Sequence, residues 1–250
     1  MERELVLFEQ VDGGAGEAPP DGGVVDWGAV SRELDERGVA LTPPLLSPEQ
    51  CARVAATFDR PGMFRSTVVM ERHQYGRGVY RYFADPAAVP EVGGLREGLY
   101  PGLAWIANRW AGLLGEPAFP TTLEGLREEC ARRGQVRPTP LLLRYGPGDW
   151  AALHQDVYGD LVFPLQVAVM LNEPGADFTG GESVFVEQRP RAQSRAVVVR
   201  PTLGQGVVFP VRERPVRGAH GVRRHAMRHG TNEVGSGRRN VLGVIFHDAR

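Results

Sequence analysis

The chain contains no lysine; all 29 of its basic residues are arginines. With so much alanine, glycine, proline and valine, this composition reads as a chain from a GC-rich genome. No single arginine is therefore strong evidence for a phosphate or carboxylate site. Cysteine is almost absent too. Cys51 and Cys130 stand far apart and match no CxxC or zinc spacing. That excludes a disulfide framework and a structural zinc site, leaving two buried thiols on helices as the expectation. No apolar run approaches a membrane span, and no basic segment followed by an apolar stretch opens the chain, so a soluble, cytoplasmic protein with no membrane partner is expected. A formal net charge of -1 gives no global attraction to nucleic acid or lipid. Any such binding must come from a local patch.

What is present is a globular composition over 250 residues, enough for one domain with a substantial core. Residues 1–24, rich in glycine and proline from 12 onward, are expected to be a flexible lead-in, and 25–250 a single domain. Helices are expected from Val25 to Arg37, ended by Gly38, and from Ser47 to Phe58. In the second, Ser47 caps, Pro48 suits the first turn and Gln50 reaches back as in a capping box. Two more are expected over 94–114 and from Thr122 to Arg133. After Pro140 the pattern changes to short Val, Leu and Phe runs between Gly/Pro turns: 140–145, 161–171, 183–187, 196–200, 206–211 and 240–246. The layout is a helical half, 25–137, serving as support and substrate lid for a β-barrel or sandwich over 138–250.

His154-Gln155-Asp156 places an imidazole and a carboxylate at i and i+2, on one face of an extended strand. Joined by a distant histidine, they would form a facial triad that leaves three metal positions open, as oxygen activation at Fe(II) requires. An HxD alone is weak evidence, but its neighbours agree. Tyr145 stands nine residues before His154. Thr179-Gly180-Gly181-Glu182 and a Gly206–Phe209 strand follow, then His229-Gly230 and Ser236-Gly237-Arg238-Arg239. In this order the chain resembles the 2-oxoglutarate/Fe(II) dioxygenase superfamily over about 138–248. The resemblance implies a mainly β fold, a double-stranded β-helix of jelly-roll or cupin type with supporting N-terminal helices. It implies Fe(II) held by His154, Asp156 and His229, with 2-oxoglutarate and O2 as co-substrates. Arg239, ten residues after His229, offers a planar, permanently charged fork for the far carboxylate of 2-oxoglutarate, and Tyr145 can add a hydrogen bond. Arg238 would face the other way. His220 competes as third ligand, but ten residues after it stands Gly230, and ten after His225 stands Gly235. His229 is preferred, with His220 second.

The RYGPGDWAALHQD segment is similar to that of AlkB-type nucleic-acid demethylases, whereas the GGE turn is more like prolyl hydroxylases. The whole chain resembles bacterial oxygenases thought to demethylate damaged DNA bases. Two stretches suit a nucleic-acid substrate. Residues 71–83 interleave Arg72, Arg77 and Arg81 with Tyr75, Tyr80, Tyr82 and Phe83, which could hold phosphates and stack on a flipped base. Of these, Arg77, Tyr80, Arg81 and Tyr82 are the candidate substrate residues. A strand packed on the core is an equally good reading of 80–83. Residues 212–228 form a basic loop of six arginines that suits a phosphate track or a plain solvated surface. The leading expectation is oxidative demethylation of alkylated, single-stranded or damaged nucleic acid. The alternatives are a hydroxylase of an amino acid, peptide or small metabolite, and a catalytically dead binding barrel.

Overall fold

The computed structural model describes residues 23–189, 191–218 and 221–250. Most of the expected lead-in lies outside them. Four α-helices form where the caps and periodicity place them: α1 (Trp27–Arg37), α2 (Pro48–Thr57), α3 (Pro90–Leu114) and α4 (Leu123–Arg132). Asp26 caps α1, accepting from the Ala29 amide, and Gly38 closes it in the left-handed conformation. Ser47 and Gln50 complete the capping box of α2. α3 starts earlier than expected because Pro90 occupies its first position, where its missing N–H costs nothing.

The strands, in chain order, are β1 (Ala40–Pro44), β2 (Phe64–Val69), β3 (Gly76–Arg77), β4 (Val79–Phe83), β5 (Leu141–Tyr145), β6 (Trp150–His154), β7 (Leu165–Met170), β8 (Phe178–Gly180), β9 (Ser183–Gln188), β10 (Arg195–Val199), β11 (Gln205–Pro210), β12 (Glu213–Gly218), β13 (Gly221–Thr231), β14 (Val234–Gly237) and β15 (Arg239–Val244). They build a seven-stranded sheet in the order β1-β11-β7-β15-β5-β4-β2 and a six-stranded sheet in the order β10-β9-β13-β6-β3, with β12 on β13. The pairings are antiparallel. This is the double-stranded β-helix expected from the resemblance.

Alternation along the strands divides the large sheet in two. Leu142, Leu165, Val167, Val169, Val208, Leu242 and Val244 face outward into the main core, where the helices cover them with Leu34, Val54, Leu103, Ile106 and others. Residues of the opposite parity face the six-stranded sheet and line the space between the two. Among the described residues no helix is long and apolar enough to cross a membrane.

Two expectations need correction. The 25–137 half is not merely helical support: β1, β2 and β4 extend the large sheet at both edges and β3 extends the smaller one. Its strands are short, and prolines and glycines broke the alternation that would have revealed them. The basic segment 212–228 is not a loop but the β12–β13 hairpin, whose strands pair from Glu213↔Ala226 to Gly218↔Gly221.

Candidate metal centre and co-substrate pocket

β6 and β13 pair so that His154 stands opposite His229. The two rings lie 4.2 Å apart. β6 ends at His154, so Asp156 sits just beyond the strand rather than on it. The Gln155 side chain holds that segment in place, donating from Nε2 to the carbonyls of Arg212 and Met227 at 2.7 and 2.9 Å. Asp156 then presents Oδ2 to His229 Nε2 at 3.1 Å and Oδ1 to His154 Nε2 at 3.7 Å. One ligand atom from each residue lies within 4.8 Å of the others.

The residues fit a divalent metal. His154 Nδ1 lies 2.8 Å from the Ala152 carbonyl. A carbonyl can only accept, so that nitrogen carries the proton and Nε2 keeps a free lone pair toward the site. His229 is packed by the rings of Phe209 at 4.7 Å and Phe185 at 6.4 Å. Its buried Nδ1 has no hydrogen-bond partner among the described residues. Burial and the neighbouring His154 push the His229 pKa down, favouring the neutral ligand form; Asp156 opposes them. For Asp156, burial alone would raise the pKa. The hydrogen bond and charge of His229, the charge of His154 and the Tyr158 hydroxyl outweigh it, holding the carboxyl well below its usual range. Two imidazoles and one carboxylate, with ligand atoms within 4.8 Å of one another, make a donor set suited to a first-row divalent metal.

A cavity of about 590 Å³ opens from this cluster and reaches Tyr145, Ser183, Thr231 and Arg239. Arg239 begins β15 opposite Tyr145 on β5, its guanidinium carbon 5.4 Å from the tyrosine ring centre. The arginine is 3 % exposed. It donates from Nη2 to Ser183 Oγ at 3.2 Å, and its Nε has no partner among the described residues. Burial pulls its pKa down to about 10, against the opposing influence of Tyr145 and Glu182. Among the described residues no carboxylate forms an ion pair with this buried cation, Glu182 acting only at longer range, so an anionic ligand would complete it. The GGE turn makes room for it. Gly181 has φ +64°, and a Cβ there would stand 2.9 Å from Arg239 Cδ. Arg238, one residue earlier, is exposed.

The structure brings His154, Asp156, His229, Arg239, Tyr145, Tyr80 and Tyr82 to one cavity. Arg77 and Arg81 do not line it. On β4 the side chains alternate: Tyr80 and Tyr82 point in, while Arg81 points away. Arg81 donates to the Phe58 carbonyl at 2.6 Å and lies over the Phe58 ring. Arg77 is exposed and paired with Glu71 at 2.9 Å. His220 lies outside the described residues. His225, the other nearby histidine, is bound to Glu187 at 2.8 Å.

Three cavity residues were missed by sequence reading. The Tyr158 hydroxyl donates to Asp156 Oδ1 at 2.6 Å and lies 3.1 Å from the Tyr82 hydroxyl. Its i+2 position after Asp156 was the available signal. Gln166 and Ser183 sit at strand starts with no local motif to mark them.

A family model described as "Oxygenase, catalysing oxidative methylation of damaged DNA" matches residues 78–249. Two uncharacterised proteins of Mycobacterium tuberculosis strains are 49% identical over 156 residues, which is 62% of this chain and 67% of each relative. The fold is similar to a Pseudomonas putida prolyl-4-hydroxylase, with TM-score 0.52 and 16% identity over 90% of this chain and 100% of that one. It is also similar to a Burkholderia pseudomallei oxidoreductase of the 2-oxoglutarate–Fe(II) oxygenase family, with TM-score 0.51 and 16% identity over 92% and 95%. A Trichoplax adhaerens prolyl hydroxylase gives TM-score 0.54 and 16% identity over 88% and 89%. With a family model matching most of its length, this chain belongs to that oxygenase family, and it shares its fold with 2-oxoglutarate–Fe(II) oxygenases.

Proposed function

We propose that the enzyme oxidatively demethylates alkylated bases in single-stranded or damaged nucleic acid, with His154, Asp156 and His229 as metal ligands and Arg239 and Tyr145 as co-substrate residues. The observation that carries the substrate reading is the aromatic approach to the metal centre. Tyr80, Tyr82 and Tyr158 wall the cavity. Tyr75, which also lines it, is 53% exposed and stacked on His73. Exposed rings beside a metal-site cavity suit a base turned out of its stack. The family description, which names damaged DNA, supports the same reading.

When bound, Fe(II) with 2-oxoglutarate and O2 supplies the oxidant, and the co-substrate leaves as succinate and carbon dioxide. The chain's own residues do the rest. Arg239 and Ser183 orient the diacid, the tyrosine wall positions the methyl group, and the apolar strands on either side exclude water. Insertion of oxygen into an N-methyl C–H bond gives a hemiaminal, which splits into formaldehyde and the free base. The methyl group is thus removed.

A second reading, hydroxylation of an amino acid, peptide or small metabolite, gains from one fact. Most arginines expected to hold phosphates already have partners. Arg214 is buried against Glu187, Arg224 is bound by Glu116 and Glu213, and Arg212 by Glu213. The deciding experiment incubates the iron-loaded enzyme and 2-oxoglutarate with N-methylated single-stranded DNA, and separately with peptides and free amino acids. Formaldehyde release from the DNA alone is expected. Hydroxylated peptide or amino acid, with the DNA unchanged, would replace the first reading by the second.

A further inference from the structure

Gln166, the second residue of β7, lines the cavity and is 3% exposed, yet its Nε2 has no hydrogen-bond partner among the described residues. Such a donor costs stability until something pairs with it. Its place in the sheet says what could. On the inner face of β7, Gln166, Ala168 and Met170 follow one another. Gln166 pairs across with Phe209, whose ring packs on that of the ligand candidate His229. Ala168 pairs with Gly243, and Met170 with Val241, two residues along β15 from Arg239. The Arg239 guanidinium reaches instead to Ser183, which pairs with Thr231. One row along, Phe185 pairs with His229.

The cavity therefore has a cationic end at the Ser183–Thr231 row and an amide donor at the Phe185–His229 row. Two residues along a strand span about 7 Å. A five-carbon diacid measures roughly 5 Å between its carboxyl carbons, from four bonds of about 1.5 Å, and carboxylate oxygens and donor atoms make up the difference. The floor between is small-chained, Ala168 and Gly243.

We infer that Gln166 is a second anchor for the co-substrate, donating to the carboxylate of its 2-oxo acid end at the metal, while Arg239 holds the other end. This rests on the metal-centre reading above and extends it to a residue that no motif marks. Gln166 is a positioning residue: it fixes the rotation of the oxo acid and leaves the metal's remaining face to oxygen and substrate.

The test cuts the ligand in half. Anaerobic enzyme loaded with Fe(II) is titrated with 2-oxoglutarate, with pyruvate (the oxo acid end alone) and with glutarate (both carboxylates, no oxo group), following charge-transfer absorption and calorimetric heat. Gln166→Leu should weaken 2-oxoglutarate and pyruvate at least tenfold and leave Fe(II) affinity within about threefold. Gln166→Glu, which sets a carboxylate against a carboxylate, should weaken both further. Arg239→Met should weaken 2-oxoglutarate and glutarate but not pyruvate. Melting of the metal-free proteins supplies a check on folding and a readout of its own: Gln166→Leu, relieved of an unpaired donor, should melt no lower than the parent. If both Gln166 variants bind 2-oxoglutarate and pyruvate within twofold of the parent, the inference is overturned, and it is overturned equally if only a substrate KM moves. If the parent itself gives no charge-transfer band, or keeps it in His229→Ala, the metal-centre reading has failed and this inference goes with it.

Discussion

Replacing Arg239 by methionine should make the ligand-free protein more stable and the co-substrate complex far weaker. Arg239 is buried, its Nε is unpaired, and no carboxylate lies within salt-bridge distance among the described residues. Burial lowers its pKa from 12.5 to about 10. At about 1.4 kcal/mol per tenfold change in proton binding, holding it charged costs the folded state about 3 kcal/mol. The sign follows from linkage: the folded pKa of a cation is depressed, so the cost is fully present below pH 10 and fades only as pH rises through it. Methionine has a similar length and no charge. It removes that cost and forfeits one hydrogen bond to Ser183, worth about 1 kcal/mol. The net expectation is a gain of about 2 kcal/mol, a rise of about 4–8 °C in Tm for a chain of this size. Binding moves the other way. Losing a buried partner of the co-substrate carboxylate should cost about 2–5 kcal/mol, a loss of thirtyfold or more. Thermal melting with and without Mn(II) and 2-oxoglutarate reads both effects. The reasoning is refuted if the ligand-free variant melts below the parent while the ligand-induced rise in Tm survives.

Three other outcomes follow from the same geometry. Asp156→Ala or His229→Ala should abolish stoichiometric Fe(II) or Co(II) binding, measured by equilibrium dialysis, and dialysis of the parent against a chelator should abolish turnover until Fe(II) is restored. Gly181→Ala puts a Cβ 2.9 Å from Arg239 Cδ at φ +64°. Left-handed strain of about 1–2 kcal/mol and a displaced guanidinium should lower Tm and raise the Kd of 2-oxoglutarate about tenfold, with metal affinity kept; calorimetry checks both. Tyr158→Phe deletes the 2.6 Å hydrogen bond to Asp156 Oδ1, so metal affinity should fall about 10-fold or more, and the Co(II) absorption spectrum should change as the carboxylate rotates.

The grouping of His154, Asp156, His229 and Arg239 at one cavity was legible in the sequence because each of its parts is local or punctuated. His154 and Asp156 are two residues apart, both glycines of the GGE turn are left-handed, and only the short strand β14 separates β13, with His229, from Arg239 at the start of β15. β5, β7, β9, β10, β11 and β15 were legible because they are rich in Val, Leu and Phe and bounded by turn residues, whereas β6, β8 and β14 fell outside the expected runs. The β12–β13 hairpin was hidden by composition: arginines at 212, 214, 217, 223, 224 and 228 look like a solvated run. Only the fold shows that Arg214 is buried against Glu187. β1 to β3 were hidden by shortness and by Pro43, Pro44, Gly76 and Gly78, which interrupt the alternation.

The substrate side resisted reading for a different reason, and residues 71–83 show it. Arg77, Tyr80, Arg81 and Tyr82 look equivalent in sequence, but one-residue differences in strand parity send Tyr80 and Tyr82 into the cavity and Arg81 onto Phe58. The sequence allowed β4 as a strand without giving its register, and register decides which side chains meet a ligand. With Arg81 spent on Phe58 and Arg77 on Glu71, exposed Arg72 is what this stretch still offers a phosphate. Arg228, exposed on β13 beside His229, is the remaining basic side chain closest in sequence to the metal centre. Should nucleic acid be the substrate, Arg228→Ala should therefore raise KM for methylated single-stranded DNA several-fold and flatten its salt dependence, with kcat kept. Arg81→Ala should instead lower stability, with little effect on KM. Steady-state kinetics at two salt concentrations separate the two residues, and an unchanged KM in Arg228→Ala would remove β13 from any phosphate track.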